Sequence, residues 1–129
     1  HEISRCIAYG NKKNGITFNN STSCNMSYCT TWNNNSNGYA VATGTTVENC
    51  ISSDDVAVFW SLDDGETLTD NSWQRTGNPT TVDFISTDPA SEFFLRPTAA
   101  SGMQDIGAFG GLTETYEITI QVKKWKGYA

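Results

Sequence analysis

The 129-residue sequence has a single histidine, His1, only four leucines and three prolines, and no long apolar run. With no imidazole beyond the first residue, Ser-His-Asp and Cys-His nucleophile arrangements are excluded, as is nuclease chemistry built on paired histidines. A histidine brace for copper would need a second imidazole, which the sequence lacks. Scarce leucine and the lack of a sustained i, i+3, i+4, i+7 pattern exclude a helical bundle. No stretch approaches the roughly 18 apolar residues of a membrane-spanning helix. No basic segment followed by an apolar one opens the chain, which therefore reads as a mature product whose signal peptide has been removed. Cys-x-x-Cys pairs, the Asp-Thr-Gly element of aspartic proteases and the spacing of an EF-hand are also missing.

Polar residues and β-formers fill the space. Thr, Ser and Asn number 17, 12 and 12, while Val, Ile, Phe, Tyr and Trp total 29. The length suits one domain, spanning 1–129. The net charge of −6 is unevenly spread: Glu48 to Glu117 holds 13 carboxylates against Arg75 and Arg96. An acidic middle repels phosphates, so nucleic acid is not expected as a partner. Lys123, Lys124 and Lys126 read as a solvated strand end.

The four cysteines, Cys6, Cys24, Cys29 and Cys50, crowd into the first 50 residues. An even count in a polar region predicts two disulfides and an oxidising compartment, with Cys6–Cys50 and Cys24–Cys29 favoured among three pairings. Sequons at Asn19, Asn20, Asn25 and Asn34 are glycosylation candidates and point the same way, to a secreted, extracellular protein.

Period-two alternation marks the apolar segments. Tyr116, Ile118, Ile120 and Val122 alternate with Glu117, Thr119, Gln121 and Lys123, as in a half-buried antiparallel strand. Val56 to Leu62 is a second strand, with Trp60 assigned to the core, and Asp64-Gly65 predicts a hairpin that brings Glu66–Thr69 back beside it. Shorter candidates lie at Ile3–Ala8, Gly15–Phe18, Tyr39–Ala42, Thr46–Ile51, Val82–Ser86 and Glu92–Arg96. No internal repeat is evident. The expected fold is all-β, an antiparallel β-sandwich or flattened β-barrel stapled by two disulfides.

Catalytic candidates are confined to carboxylates. The pairs Asp54-Asp55 and Asp63-Asp64 read as turns, so no catalytic residue, metal or cofactor is assigned. Aromatic residues in polar loops are the stronger lead: Trp32 with Asn34 and Asn35, and Trp73 with Arg75. An indole flanked by amides can stack on a sugar or anchor a protein, although each Trp could instead plug the core.

Taken with the sequons at Asn19, Asn25 and Asn34, the cysteines Cys6, Cys24, Cys29 and Cys50 give the chain a resemblance to small secreted effector and elicitor proteins of fungi. The resemblance implies a non-enzymatic protein acting on extracellular host or cell-wall components, and it carries over no site residues. A lectin-like carbohydrate-binding module is the alternative, followed by a carboxylate hydrolase or a protease inhibitor. The expected partner is an extracellular protein or glycan, with no membrane span.

Overall fold

A computed structural model describes residues 1–17 and 23–111. Their ten strands are β1 (Glu2–Ser4), β2 (Ile7–Tyr9), β3 (Ile16–Thr17), β4 (Asn25–Ser27), β5 (Thr30–Trp32), β6 (Asn37–Val41), β7 (Thr46–Glu48), β8 (Ile51–Ser53), β9 (Ala57–Ser61) and β10 (Thr67–Thr69). Each strand pairs with the one three places later, giving the sheets β1-β4-β7-β10, β2-β5-β8 and β3-β6-β9. Every strand pair is parallel. The chain is therefore a three-sided β-solenoid of about three coils, and not the expected antiparallel sandwich or barrel. Ile3, Met26, Val47 and Leu68 stack in register, at steps of 23, 21 and 21 residues.

Corners decide between the two architectures. Arg5, Tyr28, Asn49 and Asp70 hold φ near +50° between the first and second sides, and Gly10, Asn33 and Asp54 repeat the conformation between the second and third. One left-handed residue bends the strand direction, whereas the type I′ hairpin turn expected of Asp64-Gly65 needs two in succession. Asp64 is left-handed but Gly65 is not. The expected hairpin therefore does not form: the chain rounds a corner, and β10 pairs with β7 instead of β9.

The expected disulfides are also absent, since all four cysteines are free. Cys6, Cys29 and Cys50 each follow a first corner and so occupy equivalent places in successive coils. The Cys29 amide donates to Cys50 Sγ at 3.4 Å, and the Cys50 amide to Asn71 Oδ1 at 2.9 Å. Cys6 and Cys50 are two strand spacings apart, roughly 9–10 Å, too far to bridge. Cys24 and Cys29 lie on either side of β4. A side-chain hydrogen bond with the Cys29 thiol pushes the Cys50 thiol up and burial adds to the shift, while the Cys29 amide works against it. Only Cys6 is exposed, so a thiol reagent should label one cysteine quickly in the folded chain and all four in denaturant. A denatured, unreduced chain with no reactive thiol would restore the disulfides. Without them, the argument for an oxidising compartment loses its main premise.

The interior holds an apolar column beside buried polar residues. Met26, Tyr39, Val41, Val47, Cys29 and Cys50 are fully buried, and Ile3, Phe59 and Leu68 pack against them. Tyr39 Oη lies 3.0 and 2.8 Å from the carbonyl oxygens of Cys29 and Ile51, tying the third side to the second. Trp60 is not core: it is 45% exposed. The inward phase of β9 belongs to Phe59, which lies in register with Tyr39.

Residues 81–111 return across the outside of the second sheet. Val82, Met103 and Ile106 bury Ile51 in a second apolar cluster. The Ala108 amide donates to Thr30 Oγ1 at 2.9 Å, and Arg5 Nη1 donates to the carbonyls of Ala108 and Gly110 at 3.2 and 3.0 Å. The outer face of the second sheet is thus partly covered. No helix among the described residues is long and apolar enough to cross a membrane. The predicted strand at Tyr116–Lys123, the lysines after it and the sequons at Asn19 and Asn20 lie outside the described residues.

Candidate functional site

The residue after each second corner builds a polar ladder: Asn11, Asn34 and Asp55. The Asn11 amide donates to Asn34 Oδ1 at 3.0 Å, and the Asn34 amide to Asp55 Oδ1 at 2.8 Å. The side-chain nitrogens follow the same rungs, Asn11 Nδ2 to Asn34 Oδ1 and Asn34 Nδ2 to Asp55 Oδ1, both at 2.8 Å. Asp55 Oδ2 accepts from Thr31 Oγ1 and Ser52 Oγ, each at 2.7 Å. Asn34 is 2% exposed, so it is a structural rung, inaccessible to a ligand or a glycosyltransferase in the folded chain. Among the sequons, Asn25 is exposed on β4, where its Oδ1 accepts from Thr46 Oγ1 at 2.7 Å.

Trp73 and Arg75 are placed elsewhere. Trp73 sits in the 3-10 turn Ser72–Gln74, 8% exposed. Its indole lies 6.0 Å from Phe59 at 25° and 5.4 Å from Tyr39 at 38°. This Trp belongs to the core. Arg75 pairs with Asp70 at 3.0 Å and Asp105 at 2.9 Å, and its Nη1 donates to the carbonyl of Gly102. The guanidinium holds the Asp105 carboxyl below the usual carboxylate range. Arg75 is therefore a clamp between the last coil and the returning segment.

Trp32 and Asn35 are the binding candidates that stay at the surface, and Trp32 is not the only ring there. Tyr9 lies one coil earlier in register with it, centroids 6.3 Å apart at 34°. Phe94, from the returning segment, meets both rings edge-on, at 4.8 Å from Tyr9 and 6.0 Å from Trp32. Phe94 braces the pair from one side and fixes two neighbouring rings. Tyr9 is 43% exposed and Trp32 half-buried. The second corner follows directly and presents Asn33 and Asn35, with Asn11, Lys12 and Lys13 on the coil before, all exposed. The Asn35 amide donates to the carbonyl of Asn11 at 2.9 Å, which fixes that corner. The structure thus joins Trp32 to Asn35, assigns Asn34 to the ladder, and separates both from Trp73 and Arg75.

Tyr9 and Phe94 were not legible as site residues. Tyr9 had one available signal, its 23-residue spacing from Trp32, the same as Cys6 from Cys29; Phe94 had none. The carboxylate pairs do not converge. Asp54 accepts from Thr81 Oγ1 at 2.7 Å while Asp55 faces the ladder, and a hydrogen bond from Thr43 holds Asp63 below its ordinary value. Among the described residues, no group of three or more His, Cys, Asp or Glu gathers as metal ligands. No protein-family model, curated protein or solved structure matches the chain.

Proposed function

We propose that the protein is a non-catalytic binding module that takes a glycan across the platform formed by Tyr9 and Trp32. The observation that carries this reading is the pair of in-register rings, braced by Phe94 and bordered by the exposed amides of Asn33 and Asn35. Sugar rings present C–H faces to aromatic planes and hydroxyls to amides, so this mixture suits a neutral carbohydrate. Solenoids also offer extended surfaces on which successive coils repeat a contact, here at one coil's spacing. The extracellular setting expected from the sequence belongs to this proposal, supported by the exposed sequon residue Asn25.

Glycan-array screening followed by titration calorimetry tests it. Trp32→Ala and Tyr9→Ala should each weaken binding at least 10-fold, with circular dichroism unchanged. An array without any hit, or an unaltered affinity in Trp32→Ala, overturns the reading.

A further inference from the structure

We propose that the outer edge of β9 is a docking site for an extended strand of a protein partner, one that alternates apolar residues with Lys or Arg. Three observations support this. First, β9 ends its sheet, with β6 as its one strand neighbour among the described residues. Second, this edge carries exposed apolar surface: Val56 is 72%, Trp60 45% and Leu62 58% exposed. Proteins usually blunt such an edge with lysine, proline or a covering element. Residues 54–66 contain no Lys, Arg or Pro.

Third, acid brackets the edge. Asp54 precedes it, and Asp63 and Asp64 follow it, all exposed. The two ion pairs identified among the described residues, both made by Arg75, do not involve these carboxylates. A strand laid on β9 would gain main-chain hydrogen bonds along its length and cover Trp60 with apolar side chains, while cations at its ends met the carboxylates. This charge pattern also argues against a second copy of the chain. Two β9 edges paired antiparallel would bring Asp54 of each against Asp63 and Asp64 of the other, a like-charge arrangement.

The test uses the full chain and a fluorescent ten-residue synthetic peptide alternating lysine with valine and isoleucine, read by anisotropy and by hydrogen exchange. Expected is saturable binding that slows exchange of the β9 amides at 57–61. Trp60→Ser, or Asp63→Asn with Asp64→Asn, should weaken it at least 10-fold. Asn tolerates the left-handed backbone at 64, so the second variant removes charge without straining the corner. A peptide with glutamate in place of lysine should not bind, and Trp32→Ala should leave binding unchanged, which separates this site from the glycan platform. The proposal fails if there is no binding, if the glutamate peptide binds equally, if β9 exchange is unaltered, or if the chain alone self-associates through this edge.

Discussion

Asp55→Ala is expected to destabilise the protein by about 3 kcal/mol, seen as a lower urea midpoint with an unchanged slope. The carboxylate terminates the Asn11–Asn34 ladder and accepts from four donors: the Asn34 amide, Asn34 Nδ2, Thr31 Oγ1 and Ser52 Oγ. Asn34, Thr31 and Ser52 are all buried, so water cannot replace the lost acceptor without opening the coil. Each orphaned buried donor costs about 1–3 kcal/mol, reduced where a hydroxyl can turn elsewhere. Thr31 Oγ1 has such an outlet, 3.5 Å from the carbonyl of Ile51, whereas the Asn34 backbone amide has no freedom to re-aim. Asp55→Asn keeps one oxygen for the ladder and should cost about 1 kcal/mol. Equal losses in the two variants would show that the charge, and not the acceptor geometry, holds this corner.

Trp73→Ala is expected to cost about 3–5 kcal/mol, the range for a buried Trp or Phe truncated in a core. The indole fills the end of the column against Phe59 and Tyr39, and a cavity there would also release the 3-10 turn that follows β10. Its Nε1 is buried with no hydrogen-bond partner among the described residues. The polar end therefore contributes a desolvation cost without return. Trp73→Phe removes that group and keeps a ring, so its melting temperature should fall far less than that of the alanine variant. Comparable melting of Trp73→Ala and wild type would mean that the Trp73 ring does not close the core.

The all-β class was legible, because alternation such as that across Val56 to Leu62 and the scarcity of leucine survive in any β architecture. Strand direction was not, since three-residue strands bounded by polar residues read alike in a sandwich and a solenoid. The deciding signal was present but degenerate. Ile3-Ser4-Arg5-Cys6, Met26-Ser27-Tyr28-Cys29 and Val47-Glu48-Asn49-Cys50 recur at the coil spacing, yet share only a cysteine and an apolar residue. A cysteine at each rung suggested bridges, when its size and its sulfur's ability to accept an amide suit a ladder. The fourth rung, Asn71, shows the same position filled by an amide.

At the site, Trp32 was legible because an indole among amides stands out in sequence. Asn34 was misread, since a buried rung and an exposed ligand contact use the same residue type. Trp73 and Arg75 stand out for their polar neighbours, but Ser72 and Asn71 turn inward, accepting from Ser52 and donating to Val47 in the coil before. Trp60 shows that phase within a five-residue strand cannot be fixed without its neighbour: pairing Phe59 with Tyr39 sets it.

The returning segment changes how the molecule should come apart. A bare stack of coils behaves as a one-dimensional array, able to fray from either end with little effect on the middle. Here Arg5, in the first coil, is fastened to Ala108 and Gly110 across more than a hundred residues, while Gly107 is fastened to Asn49 in the third. The strap couples the two ends, so loss of one coil loosens the others. Unfolding should then be a single cooperative transition, and folding slow, because contacts so distant along the chain must close before the stack is secured.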